Sequence, residues 1–296
     1  MNSSLRSRRP PGARNLRAEL GELLVGQLEA VEAIVPYVQM YEAGLAPEGR
    51  PAGVFLLLGP TGTGKTKTVE SLAAVLHGSE KRLLKIDCAE FQMEHEVAKL
   101  IGAPPGYLGH RETQPILTQA RLNTVTSEDS SLAIVLFDEV EKAAPSLSRL
   151  LLGMLDKATL RLGDNTAVNF ERTLIFLTSN LGAREMAQSL RPSYGFEANI
   201  ARGVEDRSAK LNAIGLGAVR KRFSPEFVNR LDRVITYKSL TAEALEDILQ
   251  QQLQGFADLV FTRMGPRAFE YAVDAAARQF LLEKGVSAEY GAGHGR

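Results

Sequence analysis

The chain has 296 residues, and its 35 Lys+Arg balance 35 Asp+Glu to a formal net charge of zero, which argues against a dedicated nucleic-acid or other polyanion binder. Its one cysteine, Cys88, excludes an internal disulfide and a cysteine-rich metal site and fits a reducing, cytoplasmic setting. Hydrophobic residues at 44% supply a core, the length exceeds that of a usual single domain, and no apolar run is long enough to span a bilayer.

The opening run MNSSLRSRRPPGARNLR carries Arg6, Arg8, Arg9, Arg14 and Arg17, with no acid before Glu19. Lacking an apolar core segment, it reads as a disordered basic tail over residues 1–15 and not as a secretory signal. The first strand signal is VFLLL (54–58), followed at once by GPTGTGKT, that is Gly59, Pro60, Thr61, Gly62, Thr63, Gly64, Lys65 and Thr66. This is the full phosphate-loop pattern in its confirming context, after a strand and opening a helix expected over Lys65–His77. The glycines let backbone N–H groups turn toward phosphates, and the helix N-terminus adds partial positive charge. Lys65 is placed to reach the β and γ phosphates, and Thr66 to help hold Mg2+.

A second strand is expected at RLLKI (82–86). GAPPGYLGH (102–110) cannot be a helix interior, and it sets a large aromatic, Tyr107, on a glycine-flanked loop, which suggests a handle for a partner. The strand LAIVLF (132–137) ends in Asp138 and Glu139. Asp138 can orient Mg2+, and Glu139 can polarise an attacking water as general base. A helix is expected over Pro145–Lys157. The strand TLIFLT (173–178) leads into Thr178-Ser179-Asn180; Asn180 either bonds the attacking water or γ-phosphate, or is a strand-end turn residue, and spacing does not separate the two. RFSPEFVNRLD (222–232) carries Arg230. An arginine there can supply charge to a neighbouring subunit's phosphates, worth about 10³–10⁵ in rate, but chemistry alone favours a surface salt bridge with Asp232 or Glu226. The fifth strand is RVITY (233–237).

Four of these runs are nearly continuous in apolar residues, as strands covered on both faces are. Their alternation with helices implies an α/β fold with a parallel sheet, whose ligands bind beyond the strands' carboxyl ends. After Tyr237 the signals are helical: SLTAEALEDILQQQL, and DAAARQFLLEKG with Asp274 as cap and Gly285 as stop. The expected division is a large α/β domain over 16–238 and a small helical domain over 239–296.

In this order, from about Leu16 to Ala292, the pieces resemble the AAA+ ATPase module of the Clp family of protein unfoldases and disaggregases, above all the second ring of its two-ring members. GPTGTGKT, FDEVEKA, LTSNLGA and FSPEFVNRLD look like the family's Walker A, Walker B, sensor 1 and arginine-finger segments. VGQLEAVEAI (25–34) looks like the entry segment that places Val25 and Gly26 beside the adenine. The resemblance implies a five-stranded parallel P-loop sheet with a helical lid, and ATP with Mg2+ bound between subunits of a ring, a homohexamer. It also implies hydrolysis supported by Asn180 as sensor 1 and by Arg230 acting on the neighbour's ATP. GAPPGYLGH then resembles a central-pore loop in which Gly106, Tyr107, Leu108 and Gly109 grip unfolded or aggregated protein substrates. A second axial loop is expected within DKATLRLGDNTAVNF (156–170), where polar residues separate helix from strand. Tyr194-Gly195-Phe196 stands where protease-coupled members carry a docking tripeptide, with Tyr in place of an aliphatic residue; IGLG (214–217) has the right letters but falls in a helical stretch. The sequence departs from the family at EYGAGHGR, where Gly293 replaces the sensor 2 arginine and Arg296 is the nearest substitute. That departure implies a shortened lid and leaves open an alternative, a nucleotide-binding assembly or regulatory module with weak hydrolysis or none.

Overall fold

A computed structural model of the chain describes residues 15–102, 115–190 and 203–285. In chain order the elements are α1 (Leu16–Leu23), α2 (Leu28–Glu42), β1 (Gly53–Leu58), α3 (Lys65–His77), β2 (Leu84–Asp87), α4 (Ala98–Ile101), α5 (Gln119–Thr124), β3 (Ala133–Asp138) and α6 (Pro145–Lys157). There follow β4 (Thr159–Arg161), β5 (Ala167–Asn169), β6 (Thr173–Ser179), α7 (Ala183–Leu190), α8 (Gly203–Arg222), α9 (Pro225–Val228), β7 (Arg233–Thr236), α10 (Ala242–Met264) and α11 (Ala275–Gly285). The basic residues before Asn15, the loop residues Gly106 to Gly109, the Tyr194-Gly195-Phe196 segment, Gly293 and Arg296 lie outside the described residues.

The five expected strands form one parallel sheet in the order β2-β3-β6-β1-β7. Every residue of β1 and of β6 is buried, which is why both read as unbroken apolar runs. The expected strand at 82–86 begins only at Leu84, because Arg82 sits in the preceding turn with its guanidinium on the Thr126 carbonyl. Two apolar clusters line the two faces of the sheet. On one face the Phe55 and Phe176 rings stack at 5.0 Å, with Tyr37 edge-on to Phe55. On the other, Phe137, Leu147, Phe170 and Phe227 are fully buried, and Phe223 stacks on Phe227.

The 156–170 segment, where a second axial loop is expected, holds two short strands. Leu160 and Val168 are buried between exposed neighbours, so β4 and β5 alternate as an antiparallel hairpin. Its turn is closed by Leu162 N–H to the Thr166 carbonyl and by Asn165 in the left-handed region at φ 68°. IGLG lies inside α8, where Gly215 packs against Leu58; a Cβ there would stand 3.1 Å from Leu58 Cδ1.

Only helices follow β7 among the described residues. Thr241 caps α10, and Asp274 accepts from Ala277 N–H ahead of α11, as expected. Apolar residues continue past Leu253, so α10 runs to Met264 and stops at Gly265. These helices and the segment between them bury little: Phe256, Phe261, Phe269 and Phe280 are all exposed. No helix among the described residues is long and apolar enough to cross a membrane.

The Phe55–Phe176 stack sits where β1 and β6 must stay in register. Phe176→Ala is expected to lower unfolding free energy by about 3–5 kcal/mol in a urea titration; a loss below about 1 kcal/mol would show that the stack does not hold the two strands together.

Candidate nucleotide site

The site begins where β1 runs out. Gly59 has φ 146°, and a Cβ there would lie 2.6 Å from the Tyr237 carbonyl oxygen, so only glycine allows the chain to turn there beside β7. Gly64, at φ 97°, then opens α3, leaving Lys65 as its first residue. The Lys65 side chain folds back under the loop. Its Nζ donates to the carbonyls of Gly59 (2.6 Å) and Pro60 (2.8 Å) and to Asn180 Oδ1 (2.8 Å). Burial pulls its pKa from 10.5 down to about 8, against the opposing pull of Glu141, Asp138 and Glu139.

The β1–β6 register pairs Leu58 with Ser179, so Asn180 emerges beside the loop. Both halves of its side-chain amide are used. Oδ1 accepts from Lys65, while Nδ2 donates to Glu139 Oε1 at 3.3 Å. Asn180 is therefore both a strand-end residue and a bridge between the candidate phosphate-binding cation and the candidate base.

The end of β3 supplies the acids. Asp138 Oδ1 accepts from Thr66 Oγ1 at 3.3 Å and from the Thr178 hydroxyl, while Asp138 Oδ2 pairs with Lys85 Nζ at 3.1 Å. Glu139 holds a left-handed φ of 55°, unusual for a non-glycine residue, and its N–H donates to Thr178 Oγ1 at 2.9 Å. Its Oε2 accepts from Lys142 Nζ at 2.6 Å, a bond that raises the Lys142 pKa.

Sequence reasoning missed several members. The Thr178 hydroxyl donates to the Asp138 carboxylate and accepts from the Glu139 backbone N–H. Glu141 Oε1 accepts from Asn180 N–H at 3.0 Å, and the Glu141 and Ala143 carbonyls each accept from Arg222 at 3.0 Å. Lys85 was legible only as a strand residue. Gln27, next to Gly26, reaches the phosphate loop through Thr63. Nothing in spacing could have found these, because each contact joins residues far apart in sequence.

Other expected residues are placed as follows. Thr61 is exposed, its hydroxyl 3.5 Å from Asn180 Oδ1, and Thr63 is buried. Val25 is half-buried, and Gly26 turns at φ 73°. Arg230 pairs neither with Asp232 nor with Glu226 but with Asp156 at the end of α6, Nε to Oδ1 2.9 Å. Asp232 instead accepts from Val54 N–H at 2.8 Å and faces Arg50. Cys88 is buried, and burial pushes its thiol pKa up.

Thr66 and Asp138 offer hard oxygen donors 3.3 Å apart, a pairing suited to Mg2+. Among the described residues no group of three His, Cys, Asp or Glu could hold a metal by itself.

Comparison with known proteins adds the following. The profile of the AAA domain (Cdc48 subfamily) matches residues 50–234. Chaperone protein ClpB of Corynebacterium diphtheriae is 37% identical over 278 residues, which is 94% of this chain and 28% of the relative. Heat shock protein 100 of Trypanosoma brucei brucei is 36% identical over 282 residues, 94% of this chain and 29% of the relative. A closed-state reconstruction of Hsp104 with ATPγS and FITC-casein superimposes with a TM-score of 0.75 at 30% identity, over 94% of this chain and 44% of that one. The S. cerevisiae Hsp104–ADP complex gives a TM-score of 0.73 at 29% identity. The chain thus spans under a third of the length of these curated relatives.

Thr178→Val keeps the side chain's shape but removes the acceptor of Glu139 N–H and the donor to Asp138. It is expected to cost about 1–3 kcal/mol of stability in denaturant unfolding, and a change below about 0.5 kcal/mol would mean that this hydroxyl does not organise the strand end.

Proposed function

The chain belongs to the AAA domain family, in its Clp branch, and we propose that it binds ATP with Mg2+ and hydrolyses it to move protein substrates. One observation carries the reading: Lys65, Asn180, Glu139, Asp138 and Thr66 converge at the carboxyl ends of three adjacent strands, linked by hydrogen bonds. An ammonium has three N–H donors. Those of Lys65 are engaged by two loop carbonyls and Asn180, so β- and γ-phosphate oxygens take over positions that these acceptors hold. Glu139 accepts the proton of the attacking water, and Asn180 aligns that water with the γ-phosphate. Thr66 and Asp138 would hold Mg2+, which would supply positive charge to the phosphates. Val25 and Gly26 border the base.

The remaining roles need more than one copy. In a homohexameric ring Arg230 serves the neighbour's γ-phosphate, and Tyr107 and Leu108, flanked by Gly106 and Gly109, line the axial channel and grip unfolded polypeptide. We read residues 16–238 as the large domain and 239–296 as the small one, working in the cytoplasm. A second reading is a nucleotide-binding assembly module with little hydrolysis; Gly293 in place of the sensor arginine favours it, since a charge-assisted contact to phosphate is then missing.

Hydrolysis measured against protein concentration separates the two. The motor reading expects Mg2+-dependent turnover that rises cooperatively with concentration and falls by about 10²–10⁴-fold in Glu139→Gln, with ATP still bound. Tight binding without turnover would select the assembly module, and unchanged turnover in Glu139→Gln would remove this site from the chemistry. For the channel, Tyr107→Ala is expected to lose unfolding of a tagged substrate; equal unfolding by the variant would refute the pore assignment.

A further inference from the structure

Gln27 lies between α1 and α2, outside the strands and the phosphate loop, and the proposed reaction gives it no part. The residue is only 8% exposed. Its Nε2 makes two hydrogen bonds, 3.0 Å to the Thr63 carbonyl and 3.1 Å to the Lys238 carbonyl. A primary amide nitrogen has two N–H groups, so both are used. One acceptor belongs to the phosphate loop. The other begins the segment that leads from β7 into α10.

The surroundings place the same corner on both sides of that segment. Gly26 packs so closely that a Cβ would stand 3.3 Å from Ala244 Cβ and 3.4 Å from Leu240 Cδ2. Lys238 Nζ pairs with Glu29, and Gln251 Nε2 donates to the Glu22 carbonyl at 2.9 Å. Among these contacts Gln27 is the buried one that also reaches the phosphate loop. Its two N–H bonds are fixed in one plane, so the Thr63 and Lys238 carbonyls cannot shift relative to each other without breaking a buried bond, which a low-dielectric setting makes costly.

Building on the reading of the phosphate loop as an ATP site, we propose that Gln27 is a positioning residue that couples that loop to the start of α10. A ligand that draws the Thr63 backbone into contact with phosphates is felt through one amide at Lys238, and from there at Ala242 onward. The occupant of the loop thereby sets how firmly the C-terminal helices dock on the sheet domain.

The test is hydrogen exchange of the 296-residue chain, with and without ADP, in the wild type and in Gln27→Met and Gln27→Glu. Met fills the space without donors; Glu keeps the length but sets an oxygen against two carbonyls. Thermal melts establish that each variant is folded, so the comparison survives the loss of either one. The expected result is that ADP slows exchange across residues 239–264 in the wild type, and that this difference is lost in the variants. ADP affinity should weaken by about tenfold or less, the size of one buried hydrogen bond. A purely structural Gln27 would lower the melting temperature yet leave the ADP-dependent difference intact, and that outcome overturns the proposal. If wild-type chain binds ADP without any change in α10, the coupling falls while the ATP site stands. If it binds no ADP, the site reading itself fails, and the coupling falls with it.

Discussion

A single buried ammonium constrains this molecule more than any other group. Lys65 sits at the N-terminus of a helix, where a positive charge opposes the helix dipole, and little of it reaches water. Its three hydrogen bonds, two to the carbonyls of its own loop and one to Asn180, compensate for that placement. The bond to Asn180 is available only if β1 and β6 lie side by side in the observed register. Gly59 N–H bonding to the Ser179 carbonyl marks the point where the two strand ends are tied together. The order of strands in the sheet is therefore a condition of the phosphate loop's shape.

The acids are organised around this cation by a balance of opposite charges. Asp138 faces Lys85, Glu139 faces Lys142, and Arg222 holds the backbone of the turn that carries Glu141. Asp138 and Glu139 thus each have a lysine partner, whereas the Glu141 carboxylate is held through Oε1 by the Asn180 N–H. The strained backbone of Glu139 belongs to the same arrangement. Its N–H donates to Thr178, a bond made in that conformation.

Much of this was legible in the sequence, for identifiable reasons. The five strands announced themselves because both faces of β1, β3 and β6 are covered, which leaves no polar residue to interrupt the run. The phosphate loop was legible because glycine, lysine and threonine occur there at fixed spacing after a strand. Asn180 was ambiguous until strand register put it beside Gly59, since register is not written in local composition. The Asp156 partner of Arg230 was not legible for the same reason: it is near in space and distant in the chain. The β4–β5 hairpin was missed because each strand has three residues and one buried side chain, too short a pattern to rise above a loop. Thr178, Glu141 and Gln27 act through hydrogen bonds across elements, and no periodicity encodes those.

The sheet order also governs when the nucleotide site can come into being during synthesis. β1 is made early, at residues 53–58, yet its two neighbours are β6 at 173–179 and β7 at 233–236. Until β6 has been added, the apolar run Val54–Leu58 has no partner in its own sheet, and until β7 has been added it remains an edge. Such long-range pairings close slowly. Between the addition of β1 and that of β6 the nascent chain carries a phosphate loop whose flanking strand is unpaired, and that interval is when it most needs protection from aggregation.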